Sequence, residues 1–404
     1  MGRRTILWGA FIVIHAVVAW LGWIMPNQPM GDVYLVYEPW SNQALSGAGI
    51  VGITSPWVYP QLALVPMVLA HGFSWVGGYV VGWALLAIGC NALAFWMLVG
   101  GARSRGRVRA AWFWLGSILL LGPVGLYRID AITIPLAIAG CLWLVGRPWL
   151  GSMLLAAGAW IKVWPVALLA AAVIAVRRRM AVAGGALVIS ALTLIAIAAA
   201  GGIAHAFGFI GDQTGRGLQL EAPVSALYLW RAVLGVDGSF IYYDPDILTF
   251  QVAGPNVDVV IAVMTPLLIA GLVLIAVVGA VKAWRGATFA TLFVPLSLSL
   301  VAVFIVLNKV GSPQYLTWIA VPLVIGLVLD RRRWAAPAAL GLVLAGLTQI
   351  VYPITYGGLL QAEAGPAFVL TVRNVLLVVL LVWALVRLAR VRTRAPRARL
   401  ARTR

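Results

Sequence analysis

Charged residues are scarce in this chain of 404 residues, where they make up only 10% of the sequence. A soluble globular domain carries about 25%. Hydrophobic residues make up 63%, which excludes a disordered chain. Only two cysteines are present, Cys90 and Cys141, so a disulfide-rich scaffold is excluded as well. Both lie in apolar runs, and we interpret them as buried thiols. A chain of this composition needs lipid as its solvent.

Long apolar runs are abundant, and ten of them are close to the length of about 20 residues that a membrane-spanning helix needs. An eleventh stretch, 148–176, is interrupted at Lys162, Trp164 and Pro165, which predicts a hairpin of two short helices with its tip near Lys162. The sequence therefore predicts an all-α polytopic membrane protein with about 12 transmembrane helices in one domain, 1–390. The ten runs are 5–23, 74–99, 109–126, 129–146, 180–201, 257–282, 287–307, 311–329, 335–352 and 367–390.

The basic residues test this count through the positive-inside rule. When the chain is threaded through 12 spans, 23 of its 29 Lys and Arg residues fall on one side, and ten of its 11 carboxylates fall on the other. The net charge of +18 is thus a topology signal, and no nucleic acid is expected as a partner. We predict a plasma-membrane protein with both termini in the cytoplasm, a first span retained as an anchor, and a basic tail, 391–404, that contacts anionic lipid headgroups.

Two connections on the outer side are long, at about 24–73 and 202–256, and we expect juxtamembrane helices in both. Within the first, the apolar segment 57–72 is too short to span and is predicted to be juxtamembrane or re-entrant. Long loops often carry function, so we expect any reaction on the extracytoplasmic side. No P-loop or dinucleotide motif occurs. The residues suited to chemistry in these connections are Asp32, Glu38, Asp212, Glu221, Asp237, Asp244, Asp246 and His205.

Asp32 follows the first span directly. A carboxylate at that depth is costly unless it is paired or hydrated, which makes it a functional hypothesis. A hydrated loop acid or a helix cap explains the same position. Glu38 comes six residues later and is the weaker candidate, because on a helix it points to a different face.

Several polar residues occur at the outer ends of other spans. Asp130 follows Arg128 closely, and either a pair between the two or a site role fits. Lys162 and Lys309 are explained by snorkelling or by a site. The tryptophans fit an aromatic belt, although some of them are placed where they can also stack on sugar rings. These are Trp40, Trp57, Trp160, Trp164 and Trp318.

Five blocks of the sequence, in this order, resemble glycosyltransferase family 87, a branch of the GT-C superfamily of polytopic enzymes. The family includes actinobacterial mannosyltransferases that use polyprenyl-phosphate-mannose. The chain departs from the family pattern at Gln61 and Asp130, which leaves the sugar and the acceptor open. The blocks are GDVYLVY at 31–37, WVYPQLALVP at 57–66, the long stretch 127–169 that begins YRID, RGLQLEAPVSALYLW at 216–230 and NKVGSPQYLTWIAVPL at 308–323.

The resemblance implies transfer of a sugar from a lipid phosphate to a hydroxyl of a glycolipid or envelope glycan, with inversion and with Asp32 as the base. A lipid phosphate leaves as a stable anion, so one carboxylate suffices, in contrast to the pair used in glycoside hydrolysis. The leaving phosphate needs cations, for which Lys162, Lys309, Arg128 and Arg216 are the candidates, with Arg231 a poorer fifth. Candidate contacts to the substrate or acceptor are Glu38, Tyr59, Asp130, Glu221, Gln314 and Tyr315.

No cofactor and no obligatory metal are expected, since no HExxH motif or Cys/His cluster occurs. Weak divalent-ion binding by Asp244 and Asp246 stays open. The first alternative is the same reaction with another lipid-linked sugar, arabinose or glucose. A transporter or flippase for lipid-linked sugars is the second, although transporters carry matching broken helices in both halves and only one interrupted hairpin occurs. A non-catalytic scaffold of the envelope is the third.

Overall fold

The computed structural model describes residues 2–245 and 247–393, without the side chains of 212–214. Three predictions therefore fall partly or wholly outside the described residues. They concern the side chain of Asp212, ion binding by Asp246, and the basic tail beyond residue 393.

The described chain is predominantly helical. Its first nine α-helices are α1 (Arg3–Ile24), α2 (Glu38–Leu45), α3 (Leu64–Ala70), α4 (Tyr79–Val99), α5 (Arg105–Leu121), α6 (Asp130–Trp143), α7 (Pro148–Ile161), α8 (Val166–Ala175) and α9 (Arg179–Ala199). The others are α10 (Gly208–Thr214), α11 (Ala226–Val233), α12 (Val257–Trp284), α13 (Phe289–Val306), α14 (Ala320–Leu329), α15 (Ala335–Gln349), α16 (Tyr356–Leu360) and α17 (Ala364–Ala389).

Eight of these helices are long and apolar enough to cross a membrane. They are α1, α4, α5 with the turn that follows it, α9, α12, α13, α15 with the turn that follows it, and α17. The remaining long apolar runs form shorter helices, namely α6, α7, α8 and the stretch Pro313–Leu329 that includes α14. The protein is thus a helical, membrane-embedded protein, as the composition predicts.

The interrupted run 148–176 folds into two helices. α7 ends at Ile161 and α8 begins at Val166, and between them Lys162 adopts an extended backbone conformation. Pro165 has no N–H to continue a helix, so the break falls where the sequence places it. The tip of this hairpin brings the ammonium group of Lys162 into the interior of the bundle, where its residue exposure is 9%.

The helices pack around α13, which contacts α8, α12, α14 and α17. Of an 18-residue window in α13, 72% is buried, compared with 11% in α12. α13 is therefore the centre of the bundle, and α12 presents an apolar outer surface to lipid. α6 and α7 approach closely at Gly140 and Gly151, where an added Cβ on either glycine would lie within 2.8 Å of the other's carbonyl oxygen. Small residues allow this close contact between apolar helices.

The two long connections are structured. In the first, a π-helical turn, Asp32–Tyr37, runs directly into α2. The segment 57–72 folds into short helical turns and α3, within an apolar helical stretch, Gln61–Val76, that is short like α6, α7 and α8. The second connection contains α10, α11 and an antiparallel hairpin of β1 (Phe240–Asp244) and β2 (Thr249–Ala253). An all-α fold is therefore nearly correct, and the hairpin is the exception. The second connection also packs on α16 and α17 through a separate buried cluster that includes Leu220 and Leu229.

Candidate active site

The carboxylate of Asp32 forms an ion pair with the guanidinium of Arg128. The Asp32 side chain is 30% exposed and that of Arg128 is 10% exposed. The hydroxyl of Tyr37 lies 3.4 Å from Asp32 Oδ2 as a donor, and it accepts a hydrogen bond of 3.2 Å from the backbone N–H of Ile129. The π-helical turn is what places Asp32 and Tyr37 on one side. The Asp32 carboxylate is thus fixed by Arg128 and Tyr37 and still reaches solvent.

Tyr352, in the turn that follows α15, fixes the other end of Arg128. Arg128 Nη2 donates to the Tyr352 hydroxyl at 3.0 Å, and its Cζ lies 5.6 Å from the ring centroid. The same hydroxyl lies 3.2 Å and 3.3 Å from the carbonyl oxygens of Asn27 and Gln28. Three distant segments of the chain therefore meet at Arg128, and its orientation is set before any ligand binds.

A second ion pair joins Asp130 to Lys162. Lys162 Nζ lies 2.6 Å from Asp130 Oδ2 and donates to Gln314 Oε1 at 2.8 Å. Asp130 Oδ1 accepts a hydrogen bond of 2.7 Å from Trp318 Nε1, and the Asp130 side chain is fully buried. The Asp130 carboxylate is fully buried whereas that of Asp32 reaches solvent, so Asp130 is not placed to accept a proton from a substrate. It holds Lys162 and Trp318 in position instead.

The structure rules out both the pairing of Arg128 with Asp130 and the snorkelling of Lys162. Asp130 does not pair with its neighbour Arg128, because each of the two has a partner on another segment. Snorkelling to the membrane surface does not describe Lys162, which is buried in an ion pair.

Aromatic rings cover one side of the Asp130–Lys162 pair. The rings of Tyr315 and Trp318 stack at a centroid distance of 4.1 Å, and Trp164 stacks on Trp318 at 5.6 Å with an interplanar angle of 8°. Lys162 Nζ lies 5.6 Å from the centroid of Tyr315 and 5.8 Å from that of Trp318. Trp164 and Trp318 are each 2% exposed, so an aromatic belt at the lipid surface is wrong for these two tryptophans.

Tyr59 lies close to the carboxylates of both ion pairs. Burial raises the pKa of Tyr59, and the nearby carboxylates of Asp32 and Asp130 raise that pKa further. Its hydroxyl is therefore within electrostatic reach of both acids. The ring packs edge-on against Trp40 and Trp57, so these two tryptophans support Tyr59.

Glu221 lies beside the cluster in the second long connection. It is 5% exposed, and burial raises the pKa of its carboxyl to about 7 against the opposing effects of Arg373 and of a hydrogen bond with Tyr356. Arg373 Nη2 also donates to the backbone carbonyl of Glu221 at 2.7 Å. An added Cβ on Gly311 would lie 2.2 Å from the backbone nitrogen of Ala222. The segment after α13 therefore packs directly against the backbone next to Glu221.

The remaining candidate cations border the same region. Arg216 is half-buried and its Nε atom has no hydrogen-bond partner within the described part of the chain. Its positive charge acts on the ring hydroxyl of Tyr315, which places it close to the aromatic rings. Lys309 is 4% exposed, and its backbone carbonyl accepts a hydrogen bond of 3.0 Å from the N–H of Gln219.

Other sequence candidates lie elsewhere. The negative charge of Glu38 acts on the hydroxyl of Tyr79. Asp237 is exposed and Asp244 belongs to β1. Among the described residues, no group of three or more His, Cys, Asp or Glu side chains is placed to hold a metal ion. The remaining candidates outside the cluster are His205, whose carbonyl accepts from Gln61 at 2.9 Å; Trp160, whose Nε1 donates to Ser190 at 3.0 Å; Arg231 in α11; and Cys90 and Cys141, both free thiols.

Two members of the site, Tyr37 and Tyr352, are absent from the sequence candidates. Tyr37 follows Asp32 by five residues, the spacing of a π-helical turn, and that spacing is the available signal. Tyr352 ends an apolar run just before Pro353, and nothing in its own neighbourhood points to Arg128.

Comparisons of the chain with protein-family models, with curated proteins and with solved structures found no match. The function proposed below therefore depends on the geometry of the site and on the sequence resemblance.

Proposed function

We propose that the protein is a membrane glycosyltransferase that moves a sugar, mannose first among the candidates, from a polyprenyl-phosphate donor to a hydroxyl of a lipid-anchored or envelope glycan. The observation that carries this proposal is the pair Asp32–Arg128. A solvent-reaching carboxylate and a fixed guanidinium lie in direct contact, which is what proton abstraction next to a leaving phosphate requires.

The proposed topology has 12 spans, made of the eight long helices together with α6, α7, α8 and the stretch Pro313–Leu329. Both termini are then cytoplasmic, and the cluster around Asp32 is extracytoplasmic. Short spans such as α7 and α8 suit this arrangement, since their facing ends create a polar space inside the membrane boundary. The single domain 1–390 and the basic tail belong to the same proposal.

In the proposed reaction Asp32 takes the proton of the acceptor hydroxyl while the hydroxyl oxygen attacks the anomeric carbon. The bond between that carbon and the phosphate oxygen breaks, and the lipid phosphate leaves with the electron pair. Attack from the opposite face inverts the configuration. Asp130 is the poorer candidate for the base, because its side chain is fully buried whereas that of Asp32 is 30% exposed.

The leaving phosphate is stabilised by cations in this proposal. Arg128 is closest to Asp32, and Arg216 carries an Nε atom without a partner in the described chain. Lys162 is engaged with Asp130 and Gln314, so its contribution is to the local potential. Lys309 adds to the same potential. The half-buried ring of Tyr315, which stacks on the buried ring of Trp318, is the aromatic surface proposed for the sugar.

The proposal is tested with purified protein in nanodiscs, radiolabelled polyprenyl-phosphate-mannose and an extract of envelope lipid acceptors. We expect Asp32→Asn to lower sugar incorporation by more than about a hundredfold. Asp237→Asn is the matched control, because Asp237 is an exposed carboxylate of an outer connection, and it should retain the wild-type rate. Equal incorporation by wild type and Asp32→Asn contradicts the assignment of the base. Arabinose- and glucose-linked donors in the same assay identify the sugar.

One observation favours a transporter or flippase as the second candidate. The broken pair α7 and α8 places a buried charged residue, Lys162, at the interruption, as transporters do. Proteoliposomes with fluorescent lipid-linked sugar separate the two functions. Movement of the lipid across the bilayer without any sugar-transfer product supports transport, whereas product formation supports the transferase.

A further inference from the structure

A second polar site lies apart from the cluster around Asp32. A cavity of about 310 Å³ is lined by four arginines and one valine, contributed by three separate segments of the chain. No carboxylate side chain belongs to its lining. The lining residues are Arg3, Arg105, Val108, Arg109 and Arg331.

Among the residues that the structure describes, the four arginines of this cavity have no protein partners for their charge. Within the described residues, none of the four side chains forms an ion pair or a side-chain hydrogen bond. Arg107, on the same helix as Arg105, behaves differently, since its Nη1 donates to the carbonyl oxygens of Met97 and Leu98 at 3.1 Å and 3.4 Å. Asp330 lies next to Arg331 in the sequence but contacts Arg333 instead.

The position of the cavity corresponds to the edge of the membrane. Arg3 begins α1, Arg105 begins α5, and Arg331 follows α14, so three helix ends meet here. α5 and α14 are in direct contact, because an added Cβ on Gly106 would lie 2.9 Å from the carbonyl oxygens of Leu327 and Val328. α1 and α5 are both of membrane-spanning length, and the ends of such helices lie at the depth of the lipid headgroups.

Arg3, Arg105 and Arg109 are exposed and Arg331 is half-buried, so their guanidinium groups are accessible to an anion, which would reduce the repulsion among the four like charges. Guanidinium groups bind phosphate through paired N–H donors. The N-terminal ends of α1 and α5 add the positive ends of two helix dipoles, against the negative C-terminal end of α14. The volume is at the lower end of that of ligand pockets. These features favour a small anion that presents two oxygen atoms, at the depth of the lipid headgroups, over a large soluble ligand.

We propose that this cavity binds the phosphodiester headgroup of an anionic phospholipid, such as phosphatidylglycerol or cardiolipin. The site is separate from the basic tail and from the residues proposed for sugar transfer, so it does not depend on that function. It anchors α1, α5 and the segment after α14 to one lipid molecule. Diffuse attraction of basic residues to an anionic membrane differs from this proposal, because a built site saturates.

The test compares two triple variants that remove the same charge. One replaces Arg3, Arg105 and Arg109 by Gln. The control replaces Arg177, Arg178 and Arg179 by Gln, and these lie just before and at the start of α9, outside the cavity. Thermal unfolding in detergent is followed while cardiolipin is added, with phosphatidylcholine as the neutral lipid. Native mass spectrometry counts the phospholipids retained by each protein.

We expect saturable thermal stabilisation by cardiolipin in wild type and in the control variant, as mass action requires of a bound ligand. The cavity variant should bind cardiolipin at least tenfold more weakly and retain fewer anionic lipids. The single variant Arg105→Gln, less disruptive than the triple, should give an intermediate result. Equal weakening in both triple variants overturns the proposal in favour of diffuse attraction. A separate arm adds inorganic phosphate, and saturable stabilisation by phosphate but not by cardiolipin overturns the lipid assignment.

Discussion

Arg128 and Asp130 stand two residues apart in the sequence, and their side chains form ion pairs with different partners on different segments. Arg128 pairs with Asp32 from the connection after α1, and Asp130 pairs with Lys162 from the tip of the α7–α8 hairpin. The start of α6 is therefore the point at which the first long connection and the broken hairpin are held together. The Asp32–Arg128 pair reaches solvent, whereas the Asp130–Lys162 pair is buried.

Arg128→Lys keeps the positive charge but loses the fork that contacts both Asp32 and Tyr352. We expect KM for the lipid-phosphate donor to rise about 10- to 100-fold, the effect of losing a hydrogen bond to a charged group, with a smaller change in kcat. Steady-state kinetics with varied donor measure this split. Arg147→Lys, at an exposed arginine before α7, is the control and should leave KM unchanged. An unchanged KM in Arg128→Lys would remove Arg128 from donor binding.

Removal of one partner from the buried pair Asp130–Lys162 should destabilise the protein strongly. Asp130→Asn and Lys162→Met each leave an uncompensated buried charge, at a cost of about 3–5 kcal/mol. The double variant should be less destabilised than either single variant, because no isolated charge remains. Thermal unfolding in one detergent checks this order. Asp330→Asn in the exposed pair with Arg333 is the control, for which we expect at most about 1 kcal/mol. Additive losses in the double variant contradict the pairing.

Glu221 should make stability depend on pH. Its pKa is raised by burial from 4.5 to about 7, so the folded protein holds this proton more tightly than the unfolded chain does. The contribution of this group to the free energy of unfolding is roughly 3 kcal/mol. It is fully present below about pH 4.5 and is lost as pH rises to about 7. Glu221→Gln, which cannot ionise, should remove this component. The measurement is the unfolding temperature of both proteins between pH 4.5 and 8, and parallel curves would show that Glu221 is not the titrating group.

The contact between α6 and α7 should tolerate no side chain. Gly140→Ala places a Cβ 2.8 Å from the carbonyl oxygen of Gly151, and separating the helices should cost about 1–3 kcal/mol. The same separation moves Asp130 away from Lys162, so sugar transfer should fall as well. Gly89→Ala in α4 is the matched control, since no neighbouring atom lies within 4 Å of its added Cβ. A Gly140→Ala protein as stable as the control would contradict the packing described.

The membrane character of the fold and the break at Lys162 could be predicted because both depend on local composition. Apolar runs of sufficient length must be helical in lipid, and Pro165 has no N–H with which to continue the helix of α7. The position of Asp32 after the first span is local information of the same kind. The number of spans remains a prediction, because α6, α7, α8 and α14 are shorter than a typical membrane-crossing helix.

The partners within the site could not be predicted, because they are set by tertiary contacts between distant segments. Sequence proximity favours Arg128 with Asp130, yet the helix start separates the two side chains. Tyr352 lies 224 residues from Arg128, and no local pattern connects them. The hairpin of β1 and β2 was missed because its strands are only five residues long each and lie within a connection assigned to short helices.

The contact between Arg128 and Tyr352 also sets an order of events during biogenesis. Asp32 and Arg128 leave the ribosome early, whereas Tyr352 follows α15 and emerges after most of the helices have inserted. The guanidinium is therefore held only by Asp32 until the chain is nearly complete. Truncated or stalled chains would carry Asp32 and Arg128 without Tyr352, so partially inserted protein would lack the final geometry of this site.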